Sequence, residues 1–407
     1  GKGQELRASV NYSTFSKSVE LGFTEPYLLD KNIALGGDIF RRDFNSFNFV
    51  NNSRNTTYQQ ITTGFQVRVG VPLTEYWSIA GRYGLSYDDV TLDRQQFFFN
   101  GQCDPLLAGR FLCDAIGKRT TSSVGYSLVF DNLNNRIRPS AGQRAVFSQD
   151  FAGLGGSVKY LRTRFDADKY WKVLGNFIFS VGVEAGYILP FGSDRGPGVD
   201  KIRLTDRFFL GEPEMRGFDI RGVGPRVQRQ RYDLATATLV TDRNQITDDA
   251  LGGRAYYKGR IELEIPLGSG ARSLGIRPSL FMDVGSVFGV RRPNLTTLAN
   301  FTDPADNRIK FQCRNSTTGV TSFATLADPT KPPSATNQFT TCPTTAVAFA
   351  PFNEQFLGDT PKPRLSVGFG FNWKSPFGPF RIDIAKALLK EPGDDTKLFT
   401  FNVGTQF

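Results

Sequence analysis

The feature that most constrains this chain is an alternation of period two. In several segments apolar side chains alternate with glycine or polar residues, as they do on a β-strand, where successive side chains point to opposite faces. The clearest segments lie at 61–71, 177–185, 365–373 and 399–407. Their second face consists of Gly, Ser, Asn, Arg and Glu, which is unlike the buried face of a soluble sheet. An apolar outer face with a polar inner face is typical of a transmembrane β-barrel.

The amino-acid composition is consistent with an all-β chain. Of the 407 residues, 13% are aromatic, 37 are Phe and 42 are Gly, which suits many strands joined by frequent turns. A soluble array of β-sandwiches has a similar composition, so composition alone leaves both architectures open. No apolar run approaches the length of a spanning helix. The alternation therefore favours the transmembrane barrel over the soluble array. We predict one transmembrane antiparallel β-barrel over residues 1–407, with about fourteen strands and no separate soluble domain.

Short and long connections between the predicted strands alternate along the chain. This asymmetry is typical of outer-membrane barrels, whose periplasmic turns are short and whose extracellular loops are longer. An even number of strands places both ends of the chain on the periplasmic side. The predicted extracellular loops lie at 46–56, 94–120, 190–253, 289–360 and 386–396. The loop at 289–360 is rich in Thr, Asn, Pro and Ala and has little periodicity, so we expect a long surface loop there.

Residue usage argues against chemical catalysis. The chain has no His, which excludes Ser-His-Asp and Cys-His arrangements and zinc sites that contain His. No acidic cluster indicates a catalytic carboxylate pair. The net charge of +10 is spread over strands and loops, and this pattern favours a basic lumen or contact with acidic lipid headgroups over binding of nucleic acid. We therefore predict no enzyme, no cofactor, no metal ion and no nucleic-acid partner.

The four cysteines form two local pairs, each within a polar predicted loop. Cys103 and Cys113 lie in one loop, and Cys313 and Cys342 lie in another. Neither pair has the close C-x-x-C spacing of zinc or thioredoxin-like motifs. Two loop disulfides in an oxidising compartment are the prediction, and four unpaired thiols are the alternative.

The loop at 190–253 contains a dense glycine-rich run, Met215-Arg216-Gly217-Phe218. One interpretation is a surface turn with an incidental arginine. The other is a loop folded into the barrel, which requires acidic partners on the inner face. The neighbouring strands supply them, because the alternation places Glu262 and Asp283 inside. We predict that Arg216 contacts both carboxylates in the lumen.

Several motifs resemble those of the BamA superfamily. Met215-Arg216-Gly217-Phe218 is similar to the family's V-R-G-F/Y motif, with Met in place of the usual Val or Ile. Phe23-Thr24-Glu25-Pro26-Tyr27 and Ser375-Pro376-Phe377-Gly378-Pro379 resemble two family turns. The last strand resembles the family's terminal β-signal strand through five residues: Phe399, Phe401, Val403, Gly404 and Phe407. Together these matches extend over the whole chain.

The resemblance implies a fold, a function and partners. In the family, the motif lies in an extracellular loop that folds back into the lumen and contacts acidic wall residues, which gives Arg216, Glu262 and Asp283 those roles. It implies an insertase in the outer membrane of a Gram-negative bacterium, with unfolded outer-membrane proteins as clients and lipid and accessory lipoproteins as partners. Insertion would occur at a lateral seam next to the last strand.

The family barrel has about sixteen strands, two more than we count. The opening Gly1-Lys2-Gly3-Gln4 resembles the turn after the family's second strand. The sequence therefore predicts that the first hairpin and the periplasmic POTRA domains are not part of this chain.

Two other functions compete with the insertase. A TamA-like or two-partner-secretion translocase keeps the loop motif but handles a different client. A diffusion porin is the third candidate, and it predicts an open charged lumen without an R-G-F run. The sequence upstream of Gly1 would distinguish the insertase from the translocase, because the number of POTRA domains differs between them.

Overall fold

The computed structural model describes most of the chain. The described residues are 3–13, 16–50, 53–99, 101–136, 138–233, 238–267, 275–298, 312–315, 321–323, 346–349, 351–375 and 378–403. Of the predicted site residues, Cys342, Gly404 and Phe407 lie outside these ranges.

Fourteen antiparallel strands form one large sheet, in which each strand pairs with its neighbours along the chain. The predicted all-β architecture and strand number are confirmed. The strands are β1 (Glu5–Tyr12), β2 (Ser16–Glu25), β3 (Ala34–Val50), β4 (Ser53–Pro72), β5 (Trp77–Thr91), β6 (Gly117–Asp131), β7 (Gly142–Gly156), β8 (Tyr160–Lys172), β9 (Ile178–Pro190), β10 (Ala255–Glu264), β11 (Ile276–Phe288), β12 (Arg364–Ser375), β13 (Gly378–Leu389) and β14 (Phe399–Val403). Within the described ranges, β1 and β14 are the two ends of this sheet and do not pair with each other.

The two faces of the sheet differ in the way the alternation predicts. Large apolar side chains on the outer face are exposed, among them Phe65, Val183 and Phe369, which are 39%, 46% and 42% exposed. Polar residues on the inner face are buried, and Asp283 and Ser366 are fully so. Because this arrangement is the reverse of that in a soluble barrel, the exposed apolar band suits contact with lipid.

The hairpin of β3 and β4 is longer than predicted. The sequence suggested a connection at 46–56, but pairing continues to Val50 opposite Ser53, with an irregularity between Asn45 and Phe47. At 17 and 20 residues, both strands exceed the length needed to cross a bilayer, which is about 9–11 residues. The extra pairing satisfies backbone groups beyond the apolar band, where side-chain hydrophobicity gives no signal of a strand.

The long connections at one end of the sheet have structure of their own, and we call this the loop end. The two longest connections share a three-stranded sheet, to which the 191–254 connection contributes two strands and the 289–363 connection one, in the order Thr247–Ala250, Arg226–Arg231, Phe352–Leu357. The predicted loop at 289–360 therefore contains regular structure, which its weak periodicity did not reveal. Three further short strands in it pair with one another: Gln312–Asn315, Thr321–Phe323 and Ala346–Phe349.

Helical structure in the described parts of the chain is confined to short turns. Three α-helical turns lie between β5 and β6, at Arg94–Phe97, Pro105–Ala108 and Arg110–Cys113, next to a hairpin of Phe98–Phe99 and Gln102–Cys103. The 3-10 turns are Leu28–Asp30, Leu204–Asp206 and Arg243–Gln245. Among the helices described, none is long and apolar enough to cross a membrane.

Candidate functional site: a loop arginine clamped on the inner face

Arg216 lies against the inner face of β10 and β11 and is only 2% exposed. Its Nε and Nη2 donate to the two carboxylate oxygens of Asp283, each over 2.7 Å, and its Nη1 donates to Glu262 over 3.0 Å. Its backbone amide also donates to Asp283, over 3.1 Å. The structure thus brings together the three residues that the sequence analysis grouped. Two parallel N–H···O bonds to one carboxylate fix the guanidinium in its plane.

Further contacts complete the surroundings of this arginine. The guanidinium carbon of Arg216 lies 3.4 Å from the ring centroid of Phe281, which is a cation–π contact. The other oxygen of Glu262 accepts from the Ser279 hydroxyl over 2.6 Å and from Arg381 over 3.4 Å. Buried charges are tolerated only when they are paired and hydrogen-bonded in this way.

The charge of Arg216 is held by its partners. Burial lowers the pKa of its guanidinium, but the hydrogen bonds and charge of Asp283 and the charge of Glu262 outweigh this effect. The net result is a pKa above the ordinary arginine value, so the group remains a cation in its buried position.

Gly217 allows the motif to approach the sheet. Its φ of +85° lies in the left-handed region that favours glycine, and a Cβ there would lie 2.9 Å from the Cβ of Ser366 and 3.3 Å from that of Ala385. The Ser366 hydroxyl donates to the carbonyl of Arg216. A larger residue at position 217 would push the motif away from β12 and β13.

The two apolar residues of the motif anchor it in a buried cluster. Met215 and Phe218 are fully buried. They pack with loop residues such as Leu210 and with the strand residues Ile188 and Val287. An apolar cluster therefore fills part of the space beside the inner face of the sheet. The alternation of polar residues on that face did not predict this cluster.

The motif is also attached to the segment that precedes β14. Phe218 forms an isolated antiparallel bridge with Thr396. The backbone amide of Asp219 donates to the backbone carbonyl of Asp395 over 3.0 Å, and the backbone amide of Lys397 donates to the backbone carbonyl of Gly217 over 3.1 Å. The motif thus contacts the sheet at β10–β13 and the chain that leads into its last strand.

The described part of the predicted terminal strand is β14. Phe399 and Phe401 are 53% and 52% exposed on the outer face, and Phe401 stacks on Phe380 with ring centroids 6.0 Å apart. Val403 pairs with Phe380 of β13. Within the described sheet, β14 is hydrogen-bonded to β13.

The cysteines occupy the loop end of the sheet. Cys103 and Cys113 form a disulfide between β5 and β6. Cys313 is also disulfide-bonded, and its predicted partner Cys342 lies outside the described residues. Pairing of Cys313 with Cys342 stays a prediction.

Two further buried arginines, which no sequence motif indicated, bind the loops together. Arg364, which is 0% exposed, donates to Asp394 over 2.9 Å and to the backbone carbonyls of Gly358 and Thr360. Arg226, 2% exposed, donates to Asp248 and to the carbonyl of Gly393, each over 2.8 Å. Their carboxylate partners Asp394 and Asp248 lie 30 and 22 residues further along the chain, so no local motif could have revealed these ion pairs.

The fold and the site together define a class. A fourteen-stranded antiparallel sheet with an exposed apolar outer face and an extended loop packed on its inner face is the barrel of an outer-membrane protein. A family model described as the Omp85 superfamily domain matches residues 1–407, and the chain belongs to that superfamily.

Individual relatives agree with this assignment. The outer membrane protein assembly factor BamA of Neorickettsia risticii is 26% identical over 408 residues, which cover 100% of this chain and 41% of that protein. BamA of Neisseria meningitidis is 22% identical over 416 residues, covering 100% and 43%. The sorting and assembly machinery component 50 homolog of Bos taurus is 29% identical over 177 residues, covering 42% and 32%. The chain thus spans less than half the length of these relatives.

A solved structure has the same fold. BamA from Haemophilus ducreyi lacking POTRA domains 1–3 superposes with a TM-score of 0.64 at 20% identity, covering 98% of this chain and 64% of that one. These findings confirm the predicted resemblance to a BamA-like barrel domain.

Proposed function

We propose that this chain is the membrane barrel of an outer-membrane protein insertase, which folds client β-barrels and inserts them beside its last strand. The observation that carries the proposal is the attachment of the arginine motif to the segment before β14, through Phe218–Thr396 and Lys397–Gly217. A loop held by buried ion pairs thereby positions the start of the last strand, beside which the lateral seam is proposed. An insertase needs a seam strand that is held in place while a client strand pairs with it.

The proposed mechanism is physical. A client strand that enters lipid with unpaired N–H and C=O groups loses several kcal/mol for each group. An edge strand such as β14 offers the missing partners, so that the client pairs as it enters. The proposed activity makes and breaks no covalent bond.

The interior favours this function over transport through the lumen. Arg216, Met215 and Phe218 are buried in contacts that fill the inner face at β10–β13. A porin or a translocase would require this space to be open to its substrate. The TamA-like translocase shares the motif, but its client would have to displace the same buried ion pairs.

The proposal includes an orientation and partners. The loop end, which carries the disulfides, faces the oxidising cell exterior in the outer membrane of a Gram-negative bacterium, and the short turns face the periplasm. The loop with the arginine motif is then an extracellular loop folded into the lumen. Unfolded outer-membrane proteins are the clients, and outer-membrane lipid contacts the apolar band. Accessory lipoproteins and POTRA domains are proposed for the rest of the machinery.

Site-specific photo-cross-linking tests the proposal. Benzoylphenylalanine replaces Phe401 on β14 in the full-length protein, and the matched control replaces Phe369, which is on the outer face of β12 and 42% exposed. We expect a client barrel that is being inserted to cross-link at position 401 and not at 369. Equal cross-linking at both positions, or none at 401 while insertion proceeds, would contradict a function of β14 as the template edge.

A further inference from the structure

A basic cavity of about 350 Å³ lies at the loop end, where the connection between β7 and β8 meets the start of the 191–254 connection. Its lining contains four cations: Lys159, Arg195, Lys201 and Arg203. Asp206 is the one acidic residue among the lining groups described. The cavity therefore carries a surplus of positive charge before any neighbour is considered.

Neighbouring acids do not neutralise this surplus. Asp206 is engaged by Arg119, which is outside the cavity lining, with 2.5 Å between their charged groups. Lys201 pairs with Asp194 over 3.3 Å, but the side chain of Asp194 is 69% exposed, and such pairs contribute little. Arg195 donates to the uncharged backbone carbonyls of Asp200 and Asp114.

Arg203 is the least satisfied of the four cations. One of its guanidinium nitrogens is buried and has no hydrogen-bond partner among the described residues. Burial lowers the pKa of Arg203, and the positive charges of Arg195 and Arg119 lower it further. A bound anion would relieve both the missing hydrogen bond and the repulsion between these cations.

The cavity borders the apolar band of the outer face. Gly192 lines the cavity, and the preceding residue Phe191 stacks on Phe151 with ring centroids 5.1 Å apart. Phe191 and Phe151 are 44% and 39% exposed, and Leu154 and Leu189 beside them are 54% and 49% exposed. An amphipathic molecule could place its charged group in the cavity and its hydrocarbon on this apolar surface.

We propose that this cavity binds the phosphate group of an anionic lipid of the outer leaflet. Arginine guanidinium groups match the geometry of phosphate oxygens, and lysine ammonium groups attract them as point charges. The apolar surface of Phe151, Leu154, Leu189 and Phe191 favours a lipid phosphate over a free phosphate ion. The proposal depends on the orientation given above but not on insertase activity.

Lipid binding to the full-length protein in detergent micelles tests this site. Native mass spectrometry measures the affinity for diphosphoryl lipid A and for the same lipid after dephosphorylation. The double variant Lys159→Gln/Lys201→Gln removes two exposed cations, so the fold should be retained. The control variant Arg94→Gln/Lys362→Gln removes two exposed charges at the same end, outside the cavity lining. Arg203→Gln is a second test that leaves no acid without its partner.

We expect the phosphorylated lipid to bind more tightly than the dephosphorylated one. Either cavity variant should weaken its binding, on the order of tenfold for the double variant, while the control variant binds normally. Equal affinity for the two lipids, or an equal loss in the control variant, would overturn the site. If inorganic phosphate binds as tightly as the lipid phosphate, the cavity holds a free anion and the lipid assignment is wrong.

Discussion

The backbone amide of Lys397 donates a hydrogen bond to the carbonyl of Gly217 over 3.1 Å. The Lys397 side chain also forms an ion pair with Glu212 over 2.8 Å. Lys397 lies two residues before β14, so these contacts join the loop motif to the start of the last strand. Any change that displaces the motif is therefore expected to alter the position of that strand.

Replacement of Arg216 by Ala leaves Asp283 and Glu262 without their principal partner. Loss of one member of a buried ion pair costs about 3–5 kcal/mol of unfolding free energy, and less where water reaches the site. We expect the variant to unfold at a lower temperature and its 191–254 connection to be cleaved faster by protease. Arg94→Ala removes an exposed arginine and serves as the control. Equal cleavage of both variants would contradict a stabilising function of the ion pairs between Arg216 and the two carboxylates.

Arginine and lysine at position 216 are expected to give the protein different thermal stabilities. Arg216→Lys keeps the positive charge but loses the paired hydrogen bonds to Asp283. We expect a stability between that of the wild type and that of Arg216→Ala, measured by thermal unfolding in micelles. Wild-type stability of the lysine variant would show that charge alone suffices.

Gly217→Ala tests the close approach of the motif to β12 and β13. The left-handed φ and the short distance to Ser366 both oppose a Cβ there. We expect a loss of about 1–3 kcal/mol in unfolding free energy. Gly81→Ala in β5 is the matched control, because no atom lies within 4 Å of its added Cβ. The idea fails if both variants unfold at the same temperature.

Arg364 and Asp394 are expected to stabilise the loop end together. Both side chains are fully buried, and Arg364→Ala leaves the Asp394 carboxylate buried without its cation. A double-mutant cycle with Asp394→Ala should show a coupling of roughly 1–3 kcal/mol, since the two residues are in direct contact. Additive effects of the two substitutions on thermal unfolding would contradict this coupling.

The disulfides predict the result of peptide mapping without reductant. Peptides that contain Cys103 and Cys113 should be linked, as should those with Cys313 and Cys342. The double variant Cys103→Ser/Cys113→Ser should make the 92–116 connection more sensitive to protease. The disulfide closes a loop in this connection and thereby lowers the conformational entropy of its unfolded state. The fourteen strands should persist. A link between Cys103 and Cys342 would contradict the predicted pairing.

The strands could be predicted from the sequence because each carries its own signal. Period-two alternation depends on nearest neighbours alone, and the segments that it indicated at 61–71 and 365–373 lie within β4 and β12. It also placed Glu262 and Asp283 on one face, since strand parity decides the side of every residue. The clamp of Arg216 followed from that parity together with the need of a buried cation for partners.

The loop end could not be predicted in this way. The partners of Arg364 and Arg226 are set by contacts between segments far apart in the chain. The continuation of β3 and β4 to Val50 and Ser53 depends on backbone pairing rather than on side-chain pattern. The role of Phe281 could not be predicted either, because an apolar residue on an inner face breaks the alternation, and its ring contacts the guanidinium of Arg216.

The shared sheet at the loop end makes its two longest connections dependent on each other. Phe352–Leu357 hydrogen-bonds to Arg226–Arg231, and Glu354 and Arg229 add an ion pair of 2.6 Å between them. Transplanting one of these connections into another barrel would leave the backbone groups that face the other connection unpaired, and such an edge is prone to aggregation. In evolution as in engineering, the two insertions should therefore be exchanged as a pair.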